Sequence, residues 1–255
     1  MPVHLERRGA AAILTLDRPE ALNALSVAVL EEIDQRFDGV AGSDARALII
    51  TGAGPRAFCA GADIKELRHR GMLADRRGAE RGQQIFARLD SLPMPSIAAI
   101  NGYAFGGGLE LALACTFRLA TRAAKLSFPE IKLGLIPGYG GTQRLPRVVG
   151  EARALEMIMT GRTVDAEEAA RIGLVSQLIE GDPVDAALAF AAQFTDYGLP
   201  ALGFARAAVQ RARAVPLAEG LQIEADLSTL AFRTADAEEG MAAFIEKRPA
   251  RFRDA

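Results

Sequence analysis

The stretch Ser96-Ile97-Ala98-Ala99-Ile100-Asn101-Gly102-Tyr103-Ala104-Phe105-Gly106-Gly107-Gly108-Leu109-Glu110 decides how this chain is read. Ser96–Ile100 has the length and apolarity of a buried strand, and three glycines then open a helix expected over Gly107–Ala114. The first N–H groups of a helix have no intrahelical acceptor, and without side chains around them an oxygen can come close. The macrodipole adds about half a positive charge at that end, so an anion is favoured there. Tight strand–helix packing is the competing explanation, although each helical glycine costs about 1 kcal/mol against alanine. Within the same helix Glu110 is surrounded by Leu109, Leu111, Ala112, Leu113 and Ala114. No solvated face is left for it, so its carboxyl should be buried. Burial raises a carboxyl pKa and suits the group to proton transfer near neutrality. An acid held by buried donors for structural reasons stands as the equal alternative.

Outward from this segment the chain alternates strands and helices. Val3–Arg8 and Ala11–Leu16 predict two strands turning at Gly9, and Ser26 caps a helix reaching about Val40. Short strands are expected at Ala45–Thr51 and Ala57–Cys59, a helix from Ile64 onward, and another over Ala74–Leu92. Phe117–Ala120 and Lys125–Phe128 are strands again, so the fold class is α/β in layers. From Gly138 the pattern turns helical, over Glu151–Thr160, Asp165–Ile172 and Asp182–Phe194, with one strand near Leu174–Leu178. The break Tyr197-Gly198-Leu199-Pro200 marks a boundary, dividing a core of residues 1–197 from helices of residues 198–255. Those last helices, over Ala201–Ala214, Leu217–Arg233 and Ala237–Glu246, need a core or another subunit to cover them.

Composition narrows the chemistry. Among 255 residues, 50% are hydrophobic and 24% charged, with a net charge of −2, which gives no global field for nucleic acid or an anionic membrane. Two histidines, His4 and His69, are too few for most zinc sites and make a Ser-His hydrolase a poor expectation. Two cysteines, Cys59 and Cys115, cannot build a disulfide framework, so a reducing, cytoplasmic location is the expectation. Prolines and glycines interrupt the longest uncharged run, Ser91–Leu109, and argue against a membrane span. Carboxylates, lysine and backbone groups remain as the tools of catalysis.

Three further segments carry candidate chemistry. Lys125-Leu126-Ser127-Phe128-Pro129-Glu130 ends a strand on a proline that restrains Glu130, although by itself Glu130 reads as a surface-loop acid. A second glycine-rich loop runs from Ile131 to Gly141 before Thr142-Gln143. Cys59-Ala60-Gly61-Ala62-Asp63-Ile64-Lys65 leaves a strand through small residues, with Lys65 in reach of a phosphate and Arg68, Arg70, Arg76, Arg77 and Arg81 following as a solvated face. The rival match to a dinucleotide fingerprint, Gly52-Ala53-Gly54-Pro55-Arg56-Ala57, lacks the helix it needs and is accidental.

Together these segments resemble the enoyl-CoA hydratase/isomerase, or crotonase, superfamily. The resemblance rests on RPEALNALS at Arg18–Ser26, AFCAGADIKEL at Ala57–Leu67 and PSIAAINGYAFGGGLELALAC at Pro95–Cys115. It continues through LSFPEIKLGLIPGYGGTQRLPRVVG at Leu126–Gly150, MTGRTVDAEEAARIGLVS at Met159–Ser176 and FIEKRPARF at Phe244–Phe252. It implies a spiral of ββα units followed by a helical trimerisation region. It also implies an oxyanion hole made by the N–H groups of Ala62 and Gly107, which hold a thioester oxygen as it becomes an enolate.

Hydratases of this family carry two glutamates, matched here by Glu110 and Glu130. The implied roles are that Glu110 orients and deprotonates water, Glu130 protonates the α carbon, and Gly138 helps to position the water or substrate. The implied reaction is syn addition of water to a trans-2-enoyl-CoA in fatty-acid or related acyl-CoA breakdown. No separate cofactor is implied, since coenzyme A is part of the substrate. Ala60, Gly61, Ala62, Asp63, Ile64 and Lys65 would border it, Ala21 and Leu22 would line the thioester channel, and Phe244 and Lys247 would be carboxy-terminal contacts from a neighbouring subunit. The implied assembly is a homotrimer or a dimer of trimers. Thr116 stands where the family usually has an aspartate, and Tyr139 where a small residue is common, which bears on chain length. A double-bond isomerase or another acyl-CoA lyase is the alternative within the family. An RNA-binding scaffold, suggested by the arginines of Arg68–Arg81, is the alternative outside enzymology, and acidity and scarce aromatics weigh against it.

Overall fold

A computed structural model describes all residues, 1–255. Ten strands form, β1 (Val3–Arg8), β2 (Ala11–Leu16), β3 (Ala47–Gly52), β4 (Ala57–Cys59), β5 (Ser96–Ile100), β6 (Tyr103–Phe105), β7 (Phe117–Thr121), β8 (Lys125–Ser127), β9 (Thr163–Asp165) and β10 (Gln177–Ile179). β1 and β2 pair antiparallel across Gly9, whose φ of +57° suits a residue without a Cβ. They begin a six-stranded sheet in the order β1-β2-β3-β5-β7-β10, parallel from β2 onward. A second sheet runs β4-β6-β8-β9, with the first three strands parallel. Each turn of the chain therefore places one strand in the large sheet and the next in the small one, as β3–β4, β5–β6 and β7–β8. This is the ββα spiral that the resemblance implies.

The large sheet is covered on both faces, which explains why β3 and β5 are buried throughout and do not alternate with polar residues. Leu48 and Ile50 face the main core, with Phe37, Phe58, Phe86 and Phe128. Ile49 and Ile97 face the other way, against Ala187 and Ala191 of a helix at Pro183–Ala191.

Eleven α-helices complete the chain, with that helix being α8. The others are α1 (Val27–Ala41), α2 (Ile64–Leu67), α3 (Met72–Ser91), α4 (Gly107–Ala114), α5 (Gly141–Val149), α6 (Glu151–Thr160), α7 (Ala166–Arg171), α9 (Leu199–Arg211), α10 (Leu217–Phe232) and α11 (Ala235–Glu246). Ser26 caps α1 by accepting the Val29 N–H at 3.2 Å, as its sequence position predicts. α3 is fastened to α1 by charge: Arg81 meets Glu31 and Asp34, and Arg88 meets Asp34 and Asp38. The arginine run is thus partly a staple between helices and not wholly a solvated face. The turn Gly52–Ala57 leads into β4 and not into a helix, so it is no dinucleotide cradle.

Several boundaries differ from expectation. The helix from Ile64 stops at Leu67 and restarts at Met72, with His69 at φ +64° in the break. β6 and β9 were not anticipated, since three residues are too few for a periodic signal. The strand expected at Leu174–Leu178 lies at Gln177–Ile179, because the Leu174 and Val175 N–H groups both turn back to the Ala169 carbonyl at the end of α7. The carboxy-terminal tail returns to the core, where Asp254 receives Arg46 and the Leu199 N–H at 2.7 Å. No helix is long and apolar enough to cross a membrane.

Candidate active site

The parallel strands β4, β6 and β8 end side by side, and each delivers a candidate residue just past its carboxyl end. Sites collect at that edge of parallel sheets because the chain leaves every strand there as a loop. Past β4 come Ala60-Gly61-Ala62, past β6 come Gly106 and Gly107, and past β8 comes Glu130. The Gly106 N–H donates to Ser127 O at 2.9 Å and ties the last two together.

Two amides face this edge. Leu25 and Ala62 form an isolated parallel bridge in which the Leu25 N–H donates to Gly61 O at 2.8 Å and the Asp63 N–H to Leu25 O at 2.9 Å. In such a bridge the N–H of the middle residue points the other way, and the Ala62 N–H has no acceptor within the protein. Gly107 is the first residue of α4, where no intrahelical acceptor exists. A Cβ on Gly61, whose φ is +106°, would stand 3.5 Å from Gly107 N, so the two amides belong to one small region. The three glycines divide their duties. A Cβ at Gly108 would collide with the Cys59 carbonyl, which is packing, while Gly106 and Gly107 border the site.

Glu110 is 1% exposed, one turn into α4. Its Oε1 accepts the Tyr139 N–H and the Gly141 N–H, both at 2.7 Å. Burial pushes its pKa up to about 7, the Gly141 N–H opposes that, and the nearby Glu130 charge pushes further upward. The second oxygen, Oε2, has no donor among the hydrogen bonds of the protein. Glu130 sits on a 3-10 turn, Pro129–Leu133, with the proline at its start. Its Oε2 is buried and without a partner, so it is not the surface-loop acid that its segment alone suggests. Burial raises its pKa as well. The structure therefore brings Glu110, Glu130, Ala62 and Gly107 together at one edge.

The loop carrying Gly138 is held by α3, where the Gln83 side chain donates to Gly138 O at 2.8 Å. The Gly138 N–H has no acceptor in the protein. Tyr139 stacks edge-on against Phe86 at 5.7 Å and fills the space over Gly82, where a Cβ would collide with its ring. The same ring lies 3.2 Å from where a Cβ on Gly107 would stand. Neither Gln83 nor Gly82 was singled out by sequence reasoning, since a glutamine and a glycine in an amphipathic helix carry no distinctive signal.

Ala21 and Leu22 lie beside Ala60 through the Ala60 N–H to Leu22 O bond at 3.0 Å. Arg18 joins the same wall to Asp63 at 3.4 Å. Ile64 and Lys65 are exposed at its rim. Asn23, which sequence reasoning passed over, locks this wall: it is buried, takes φ +57° and donates to Ala53 O and Ala57 O. Phe244 and Lys247 are exposed on α11, which packs on α10, so within one chain they make no part of this edge. Cys59 and Cys115 are buried free thiols pushed up to about 12 by burial, which removes both as nucleophiles.

Known proteins resemble this chain along nearly its whole length. The chain is 40% identical over 250 residues to a crotonyl-CoA hydratase of Syntrophomonas wolfei, covering 97% of this chain and 96% of that protein. It is 39% identical over 248 residues to a short-chain-enoyl-CoA hydratase of Clostridium acetobutylicum, covering 96% and 95%. A crystal structure of an enoyl-CoA hydratase from Bacillus anthracis superposes with a TM-score of 0.95 at 37% identity over all of both chains. Residues 6–255 match the family described as Enoyl-CoA hydratase/isomerase, and with that match the shared fold and sequence place this chain within that family.

Proposed function

We propose that the chain is an enoyl-CoA hydratase, adding water across the double bond of a trans-2-enoyl-CoA to give a 3-hydroxyacyl-CoA. The observation that carries this reading is the asymmetry of the two acids. Glu110 spends one oxygen on two backbone donors and keeps the other bare, whereas Glu130 keeps a buried oxygen with no partner at all. A carboxylate fixed by one oxygen can hold and deprotonate a water with the other, and a buried acid with a raised pKa can carry a proton to carbon.

The thioester oxygen sits on the Ala62 and Gly107 N–H groups. Water loses a proton to Glu110 as its oxygen bonds to C3, the C2=C3 electrons move toward the carbonyl, and the enolate charge falls on the two amides. Glu130 then gives its proton to C2, and proton exchange with solvent returns both acids to their starting states. Removing one donor of such a hole costs about 2.7–4 kcal/mol of transition-state stabilisation. Gly138 offers its free N–H to the water or substrate. Ala60–Lys65 with Ala21 and Leu22 form the thioester and CoA wall. Family relatives named as crotonyl-CoA and short-chain-enoyl-CoA hydratases support the choice of reaction.

A homo-oligomer fits the apolar residues left uncovered, among them Leu217, Leu221 and Phe232 of α10 and Phe244 of α11, at 78%, 54%, 65% and 86% exposure. The carboxy-terminal helices are then the assembly region, with Phe244 and Lys247 reaching a neighbour's CoA. The test is addition of crotonyl-CoA with the conjugated-thioester absorbance followed in time. Absorbance falls in the wild type, and Glu110→Gln and Glu130→Gln each lose turnover while CoA still binds. A wild type that binds the thioester and never hydrates it defeats the proposal. Conversion of 3-enoyl-CoA that survives Glu110→Gln would point to the isomerase.

A further inference from the structure

Behind α4, at the end away from the glycines, lies a cavity of about 670 Å³ between α5, α9 and the core. Arg118, Arg144, Arg147, Arg206 and Arg213 line it, against the single carboxylate of Asp90. None of the five arginines forms an ion pair. Arg118 donates to the Leu174 and Cys115 carbonyls at 2.8 and 3.0 Å, Arg144 to Tyr139 O at 3.0 Å, Arg147 to Gln143 O at 2.6 Å, and Arg206 to Met94 O at 2.9 Å. Asp90 itself is engaged by the Gln210 amide at 2.8 Å. Carbonyls orient a guanidinium without neutralising it. Burial lowers the pKa of Arg118, with Arg213 adding repulsion, and burial lowers that of Arg206. Bringing the part-buried Arg118, Arg144 and Arg206 together against one carboxylate is costly unless something else enters.

We infer that this cavity is a binding site for a compact anion carrying two linked phosphoryl groups. Its volume falls within the range of small-ligand pockets, about 300–1,000 Å³. Guanidinium groups match phosphoryl oxygens in charge and geometry, and five of them lining one cavity suit a multivalent anion over a chloride. The site is separate from the thioester wall, because α4 has eight residues and spans about 12 Å between the two. Arg144 belongs to both regions: its charge lowers the pKa of Glu110, and its guanidinium holds the carbonyl of Tyr139, whose N–H holds Glu110. An anion here opposes that pull and raises the proton affinity of Glu110.

Titration calorimetry of the full-length protein with inorganic pyrophosphate, at ionic strength matched with NaCl, tests the site. One saturable event per chain is expected, persisting with CoA present. Thr116 lines the cavity and accepts the Ser96 N–H at 3.2 Å, a bond an aspartate can also accept. Thr116→Asp should weaken binding at least tenfold by adding a second negative charge, and Arg147→Ala with Arg213→Ala should do the same from the exposed rim. ADP in place of pyrophosphate tells a nucleoside diphosphate from an inorganic one, and binding of either supports the site. No saturable binding of either, equal binding in the variants, or displacement by CoA overturns it. These readouts do not depend on turnover. In protein saturated with pyrophosphate, the acidic limb of crotonyl-CoA hydration should move to higher pH. This last measurement rests on the hydratase reading, and an unmoved limb overturns the link through Arg144.

Discussion

Gly106 and Glu130 occupy neighbouring space so tightly that a Cβ on the glycine would stand 2.7 Å from the glutamate Oε1. Gly106 also holds φ +49° and ψ −122°, a conformation that side chains resist. Gly106→Ala should therefore push the proton donor aside and strain the loop that starts α4. A displacement of about 1 Å costs on the order of 100-fold in rate. The expected outcome is a loss of at least that size in kcat for crotonyl-CoA, and because the strained loop also carries the Gly107 N–H, KM should rise as well. The strained backbone should lower stability by about 1–3 kcal/mol. Steady-state kinetics beside a denaturant melt check both, and a kcat within threefold of wild type would contradict the placement of Glu130.

In the proposed reaction Glu110 must be ionised to take a proton from water, and burial sets its pKa at about 7. Below that value the folded enzyme carries the inactive, protonated form. Rate should fall by about tenfold for each pH unit on the acid side and level off above neutrality. Glu130 must hold the proton it gives to C2, and burial, which raises its pKa, favours that protonated form. The two acids influence each other, and the limbs report the pair. A pH–kcat/KM curve for crotonyl-CoA measures this. A flat acid limb down to pH 5 would mean that Glu110 is not the base.

The same raised pKa makes the native state pay at high pH. Glu110 binds its proton more tightly when folded, at about 7, than at its ordinary value of 4.5. Between those values the folded protein holds more protons than the unfolded one, so stability falls as pH rises through the window. Below it both states are protonated and the difference vanishes. Glu110→Gln has no charge to bury and can still accept the Tyr139 and Gly141 N–H groups. It should be more stable than wild type by about 3 kcal/mol at pH 8 and by almost nothing near pH 4. Paired urea melts at both pH values decide it, and a variant less stable at pH 8 would show that burial does not govern the site.

Much of this was legible from sequence because local chemistry announced it. The buried strand Ser96–Ile100, the helix Gly107–Ala114 and the burial of Glu110 all follow from short windows. The spiral does not. Its repeat lies in the pairing of β4 with β6 and β6 with β8, three-residue strands whose partners are far apart in the chain. For the same reason the segment around Glu130 reads by itself as a surface loop, and only the resemblance marks it, since it is that pairing that carries it under the glycines. Asn23 escaped because a buried, left-handed asparagine looks like any turn residue until Ala53 and Ala57 are seen beside it.

The Tyr139 ring borders the edge that carries Gly107, and its backbone N–H holds Glu110. Its ring is wedged between Gly82 of α3 and Gly107 of α4, with Phe86 behind it. Both glycines leave room for the ring, and the ring in turn takes the room beside Gly107, which in the proposed reaction is room that an acyl chain longer than crotonyl would need. The wild type should therefore favour crotonyl-CoA over decenoyl-CoA. In Tyr139→Ala the backbone N–H to Glu110 is untouched, because only the side chain is removed. The space left behind accepts additional methylenes, each worth about 0.8 kcal/mol when buried. Two or three of them raise kcat/KM for decenoyl-CoA by about tenfold to more than fiftyfold, while crotonyl-CoA, losing its wall, declines severalfold. The ratio of the two specificity constants, measured across thioesters of graded length, is the direct readout. If that ratio stays put on removing the ring, the acyl chain leaves the site by another route, and Tyr139 serves only to pack α3 against the loop that holds Glu110.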